Sequence, residues 1–259
     1  MDLHQRVSAG DSVFGTFVGA FTSPAALKVI SAAGLDFIIL DLEHTGIGWS
    51  DLGNAIAYAR AIGLPPLVRI PRPVRELTGR VLDIGAVGIV FPRVETADDV
   101  RKFADLVLYP PSGNRAVAFG GGHNDFLAPK AVEYVKGANT RLVNMIQIET
   151  VKGMQNLDAI CAAMKETGCA TILEVSRADL TTSMGVPMQF DHPDYVAAVQ
   201  QVLAASQRYD LVPSKGFADL EDAGKWLKKG VRVGIFSSDL QVYRLAWNAA
   251  VGELKKRLT

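Results

Sequence analysis

The sequence predicts an α/β fold, a closed (β/α)8 TIM barrel, and three observations predict it. Apolar, β-rich runs fall at residues 13–17, 36–42, 66–70, 87–91, 142–148, 170–175, 209–213 and 231–236, which makes eight candidate strands. Segments of helical period separate them throughout. The length of 259 residues matches eight βα units, which take about 250 residues. Runs such as Phe37-Ile38-Ile39-Leu40 and Val87-Gly88-Ile89-Val90-Phe91 are apolar without alternation, as expected of parallel strands covered on both faces. A doubly wound open sheet is the second choice.

The helices carry recognisable punctuation. Ser23-Pro24 reads as an N-cap followed by a first helical position, and Gly34 as the end of that helix. Thr96 precedes Ala97-Asp98-Asp99, and Ser238-Asp239 opens the last helix, 238–258. The long irregular stretch Tyr109 to Pro129, with Pro110-Pro111-Ser112-Gly113 and Gly120-Gly121-Gly122, exceeds an ordinary connection and suggests a lid or an interface loop. No repeat or linker divides the chain, so residues 1–259 read as one domain.

Composition narrows the function. Lys plus Arg and Asp plus Glu both total 27, so no net field draws the chain to nucleic acid or an anionic membrane. No run approaches the roughly 18 apolar residues of a membrane span, and the start has no apolar signal region. Cys161 and Cys169 lack CxxC spacing and read as free thiols. The expectation is a cytoplasmic protein whose partners are small molecules, with no nucleic acid and no membrane.

Barrels place reacting groups at the C-terminal ends of strands, so the polar residues that close each apolar run are the site candidates. The second run ends in Asp41-Leu42-Glu43-His44, the third in Arg69, the fifth in Gln147-Ile148-Glu149, and the sixth in Glu174-Val175-Ser176-Arg177-Ala178-Asp179. Glu149 and Asp179 close neighbouring strands. Two carboxylates about 4 Å apart repel by roughly 4 kcal/mol at an effective dielectric near 20, so such a pair calls for a proton or a cation. All-oxygen ligation suits Mg²⁺ or Mn²⁺ better than Zn²⁺; otherwise each acid merely caps a helix. His44, beside Asp41 and Glu43, suits a general base or is a loop histidine bonded to backbone. Arg69 needs an anion, either substrate or a carboxylate such as Glu43. Asp83, at a helix C-terminus that disfavours negative charge, needs a partner, and His44 is one candidate. Ser237-Ser238-Asp239 is explained equally by phosphate binding and by capping. Lys215 is the one lysine near a strand end that could form a Schiff base, and it reads as a solvated loop lysine.

These residues stand in motifs: Asp41-Leu42-Glu43-His44, Val68-Arg69, Leu82-Asp83-Ile84-Gly85, Pro92-Arg93-Val94-Glu95, Tyr109-Pro110-Pro111-Ser112-Gly113-Asn114-Arg115, Gln147-Ile148-Glu149-Thr150, and Ala178-Asp179-Leu180 with Met184-Gly185. In order and spacing the chain resembles, over nearly its whole length, the HpcH/HpaI aldolase family. These are metal-dependent class II pyruvate aldolases of the 4-hydroxy-2-oxoheptanedioate and 2-dehydro-3-deoxyglucarate type. The resemblance implies a barrel of the phosphoenolpyruvate/pyruvate type that reversibly cleaves a 4-hydroxy-2-oxo acid into pyruvate and an aldehyde through a pyruvate enolate. It implies Glu149 and Asp179 as ligands of Mg²⁺ or Mn²⁺, with Co²⁺ a further fitting ion. His44 would be the base, Asp83 its orienting partner, and Arg69 the group over the keto oxygen. Gln147, the Ala178 and Asp179 backbone and Arg177 complete the expected substrate contacts. A homo-oligomer is also implied, a hexamer built as a trimer of dimers, with the helix 238–258 exchanged between subunits.

The chain departs from the family pattern G-P-x-D-L-S, having Ser176-Arg177-Ala178-Asp179-Leu180-Thr181. Arg177 either pairs with Glu174 or meets an anionic group of the substrate. Three alternatives stay open. One is a decarboxylase of a 2-oxo diacid such as oxaloacetate, one an oxo-acid binder without turnover, and one a Schiff-base aldolase using Lys215.

Overall fold

The computed structural model describes residues 1–128 and 130–258. Pro129, the last residue of the long loop expected from the sequence, and Thr259 lie outside the described residues. Eight parallel strands close in chain order into a barrel: β1 (Val13–Val18), β2 (Phe37–Asp41), β3 (Pro66–Arg69), β4 (Gly88–Phe91), β5 (Met145–Ile148), β6 (Ile172–Val175), β7 (Val212–Phe217) and β8 (Val233–Ser238). Pairing of β1 with both β2 and β8 excludes the open sheet. Twelve α-helices accompany them among the described residues: α1 (Leu3–Ser8), α2 (Pro24–Ala32), α3 (Trp49–Ala61), α4 (Arg75–Asp83), α5 (Ala97–Val107), α6 (Ala131–Ala138), α7 (Val151–Gln155), α8 (Leu157–Thr167), α9 (Ala178–Ser183), α10 (Pro193–Tyr209), α11 (Leu220–Lys228) and α12 (Asp239–Lys256).

Strand parity builds two cores. Phe37, Ile39, Leu67, Val90, Met145, Ile172, Val233 and Ile235 point inward and fill the barrel, closed at its base by Leu3 and Val7 of α1. The intervening Ile38, Leu40, Val68, Ile89, Ile146, Leu173 and Val175 face the helices. Gly15 makes room inside, because a Cβ there would lie 2.3 Å from Phe37 Cε2. The same parity continues upward. One step above the apolar layer, Asp41, Arg69, Gln147 and Glu174 occupy the inward positions of β2, β3, β5 and β6, and the pairings Asp41–Arg69 and Gln147–Glu174 are direct cross-strand neighbours.

The caps form as expected. Ser23 accepts from the Ala26 N–H, Thr96 forms a capping box with Asp99, and Ser238 accepts from the Gln241 N–H ahead of α12. Cys161 and Cys169 are buried free thiols.

Three expectations are corrected. The seventh strand spans Val212–Phe217 rather than 209–213, because α10 runs on through Tyr209 and Asp210 turns the chain with φ 56°. Lys215 is therefore inside a strand, not on a solvated loop. Thirdly, the loop after α5 is no lid over the strand ends: a helix returns the chain to the opposite end of the barrel. There Arg115 donates to Asp83 at 2.9 Å and His123 Nδ1 lies 3.0 Å from the Asp83 carbonyl.

Candidate active site

The strand ends enclose a cavity of about 390 Å³ lined by Asp41, His44, Arg69, Gln147, Glu174 and Arg177–Asp179, among others. The chemistry of its wall begins with one ion pair. Arg69 Nε and Nη2 donate to the two oxygens of Asp41 at 2.9 and 2.7 Å, a bidentate clamp set up by their pairing across β2 and β3. Burial pushes Asp41 upward, but the hydrogen bonds and charge of Arg69, together with the Glu43 N–H, outweigh it and hold the carboxyl below its ordinary range. The partner expected from the sequence, Glu43, is secondary, with Oε2 3.4 Å from Arg69 Nε. The Arg69 guanidinium also lies 4.5 Å from the Phe17 ring centroid.

Asp41 shapes the turn that follows. Its Oδ1 accepts from the Glu43 N–H at 3.0 Å, and its carbonyl accepts from the Thr45 hydroxyl. The turn places His44 at the cavity with its side chain 61% exposed and Nε2 3.7 Å from Glu43 Oε2. Burial raises Glu43, which Arg69 partly offsets.

Opposite stands a set of acids, Glu149, Glu174 and Asp179, that form no ion pair among the described residues. Glu149 is 2% exposed and its Oε2 has no hydrogen-bond partner. Burial, then repulsion from Asp179, Glu174 and Glu43, push its carboxyl up to about 8, against a hydrogen bond from the Arg93 backbone. Asp179 is half-buried on the first turn of α9. Glu174 is fully enclosed and accepts from Gln147 Nε2; burial raises it, and the Gln147 hydrogen bond and Arg69 oppose that rise.

Among the described residues no three His, Cys, Asp or Glu side chains gather as a complete metal-ligand set. Two coupled oxygen donors, one with an orphaned buried oxygen, nevertheless fit a hard divalent cation whose other positions are taken by water or ligand. Glu149 and Asp179 are the residues that would hold it.

The structure separates the remaining candidates. Asp83 does not reach His44 within one chain, because it is the last residue of α4 and so lies at the N-terminal end of the barrel, bound to Arg115. Its place beside His44 is taken by Glu43. Lys215 also misses the cavity: it follows inward-facing Ser214, so parity turns it outward, where Nζ meets Asp222 Oδ2 at 2.7 Å and the Gly216 carbonyl at 2.9 Å. Arg177 makes no ion pair with Glu174; its guanidinium sits 5.0 Å from the Phe190 ring centroid. Ser238 caps α12, and Asp239 Oδ2 accepts from the N–H groups of Gly19, Ala20 and Phe21 at 2.8–3.1 Å, so these two residues serve as a cap and a loop clamp. Sequence reading passed over Asp239 as a clamp and Glu174 as the acid holding Gln147. The signal for Glu174 was its spacing of two from inward-facing Ile172.

Known proteins resemble the chain along nearly its whole length. The chain is 28% identical over 261 residues to the hydroxypyruvate/pyruvate aldolase of Paraburkholderia phytofirmans, covering 98% of this chain and 97% of that one. It is 29% identical over 238 residues to the 5-keto-4-deoxy-D-glucarate aldolase of Shigella sonnei, covering 92% and 90%. The crystal structure of the HpcH/HpaI aldolase from Desulfitobacterium hafniense superposes with a TM-score of 0.93 at 30% identity, over 98% of this chain and 97% of that one. The family model for HpcH/HpaI aldolase/citrate lyase matches residues 14–246, and the chain belongs to that family.

Proposed function

We infer that this enzyme is a divalent-metal-dependent pyruvate aldolase, reversibly cleaving a 4-hydroxy-2-oxo acid into pyruvate and an aldehyde. One observation carries the reading: a cation-seeking pair, buried Glu149 and half-buried Asp179, shares the strand ends with a clamped guanidinium and an accessible imidazole. The aldolase names of the relatives and the family support the carbon–carbon lyase class.

In cleavage, His44 accepts the 4-hydroxyl proton, the C3–C4 bond breaks, and its electron pair becomes the pyruvate enolate. Charge develops on the C2 oxygen. Asp41 takes Nε and Nη2 of Arg69, leaving Nη1 without a protein partner among the described residues and available to donate to that oxygen. The carboxylate of the oxo acid is met by the Ala178 and Asp179 N–H groups at the start of α9, with Gln147, held by Glu174, beside it. A bound Mg²⁺, Mn²⁺ or Co²⁺ supplies Lewis-acid stabilisation of negative charge on oxygen. In synthesis the same groups run in reverse.

Assembly as a homo-oligomer, a hexamer formed as a trimer of dimers with α12 exchanged, is supported by α12 itself. No residue of that helix is buried, and Leu240, Tyr243, Leu245, Trp247, Val251 and Leu254 are 40–64% exposed. A cytoplasmic place belongs to the same proposal; among the described residues no helix is long and apolar enough to cross a membrane.

The test is exchange of the pyruvate methyl protons in heavy water with Mg²⁺, followed by product analysis on 4-hydroxy-2-oxo acids. Exchange that stops with chelator, with aldehyde released, is expected. Carbon dioxide from oxaloacetate without aldehyde release would favour a decarboxylase, and absence of exchange would leave a binder.

A further inference from the structure

Arg177 is a charge without a counter-charge. The cavity's other guanidinium, Arg69, is bound by Asp41 and approached by Glu43, and His44 lies near Glu43. Arg177 lines the same cavity, half-buried, yet its guanidinium has no hydrogen bond or ion pair among the described residues. Its contacts are the Phe190 ring and glycine: Phe190 lies 5.0 Å from Cζ, and a Cβ placed on Gly216 would lie 3.9 Å from its Cδ and Nε. The Gly216 contact places the side chain toward β7, whereas Arg69 stands on β3 and Glu149 follows β5. From β7 the cavity continues past Phe217 and Ile235 to Ser237 at the end of β8. The oxo-acid half of the substrate belongs with Arg69 and the acids, so the other half occupies the β7–β8 side.

We propose that Arg177 is a specificity-determining residue that reads an oxyanion, carboxylate or phosphate, carried by the aldehyde half of the substrate. The inference rests on the aldolase reading above and deepens it. A guanidinium held over an aromatic ring keeps its planar N–H edge free for such a group, and a partly desolvated charge-assisted pair discriminates strongly against a neutral analogue that leaves the cation unpaired. Arg177 stands where the G-P-x-D-L-S pattern given above has proline, and its side chain lies at ordinary contact distance from a Cβ placed on Gly216.

The experiment compares aldehydes of similar size in addition to pyruvate: glyoxylate against glycolaldehyde for carboxylate, glyceraldehyde 3-phosphate against glyceraldehyde for phosphate. For the wild type, kcat/KM favours one charged acceptor over its neutral counterpart by about tenfold or more. In Arg177→Gln that ratio falls toward one, mainly through KM, while Arg177→Lys keeps a substantial part of it. Which pair responds tells carboxylate from phosphate. A wild type without preference for either charged acceptor, or an Arg177→Gln ratio equal to the wild type's, overturns the proposal. Methyl-proton exchange of pyruvate in the wild type separates the two levels: exchange with no charge preference removes only the role of Arg177, whereas no exchange removes the aldolase reading and this inference together.

Discussion

On the proposed reading Arg69 divides its atoms between Asp41 and the substrate oxygen, and that division makes its replacement informative. Nε and Nη2 are committed to Asp41, so the plane of the guanidinium is fixed before any ligand arrives. Lysine brings the same charge but cannot be gripped at two points. Arg69→Lys is expected to lower kcat by about 100-fold, on the order of 3 kcal/mol, the usual worth of a placed oxyanion donor. Steady-state kinetics on a variant with an unchanged circular dichroism spectrum checks this, and a loss of under threefold would count against the role. Glu149 gives a second prediction. Its carboxyl is held protonated up to about 8 by burial and by Asp179, Glu174 and Glu43. An acid raised in the folded state binds protons more tightly there than in the unfolded chain. Its favourable contribution is therefore complete below the ordinary carboxylate range and is lost as pH rises through 8. In chelator, the melting temperature should fall between pH 5 and pH 9, and Glu149→Gln should flatten that fall. Saturating Mn²⁺ should raise the melting temperature of the wild type at pH 8 and leave the variant unmoved, by the mass action of a ligand that binds only the folded state.

At the level of the elements, β7 shows how one residue of register separates two chemistries. Lys215 is fully buried on the helix-facing side, paired with Asp222 and surrounded by the Tyr195, Phe217 and Trp226 rings at 5.7–5.9 Å. Burial lowers its pKa, while the Asp222 hydrogen bond works against that shift. Lys215→Met strands a carboxylate that is only 15% exposed and should destabilise the fold by about 3–5 kcal/mol. Adding Asp222→Leu should restore most of that, which urea denaturation of the single and double variants reads directly. Borohydride in the presence of pyruvate should leave the chain's mass unchanged, and an adduct on Lys215 would reopen the Schiff-base route. The same register accounts for what the sequence disclosed. Strand order and the acids at the strand ends were legible because buried parallel strands are continuous apolar runs ending in polar residues. The start of β7 was hidden because Tyr209 and Leu211 extend the apolar run, although one closes a helix and the other lies between helix and strand. Asp83 seemed close to His44 because motifs carry no end of the barrel, and only the return direction of α4 assigns it to the far side.

For the whole molecule, the question is what covers α12. A helix of eighteen residues that buries none of them gains little from its own barrel, and isolated helices of that length are marginal in water. The neighbouring copy proposed above would cover its apolar side chains, and its first turn would tie that neighbour to the cavity. Asp239 clamps Gly19, Ala20 and Phe21, and Phe21 meets Tyr243 edge-on at 5.3 Å, with Trp247 next along at 6.1 Å from Tyr243. Light scattering should therefore return a multiple of 27.8 kDa. Trp247→Glu and Leu254→Glu place charges on the exposed face without touching a buried contact, so they should lower the mass toward one chain while the barrel stays folded. Because the β1–α2 loop leans on the base of the same helix, the dissociated variant should also bind substrate more weakly, seen as a raised KM with kcat less affected. A monodisperse wild type of single-chain mass would show that α12 is solvated as it stands, and the link between assembly and the cavity would fall with it.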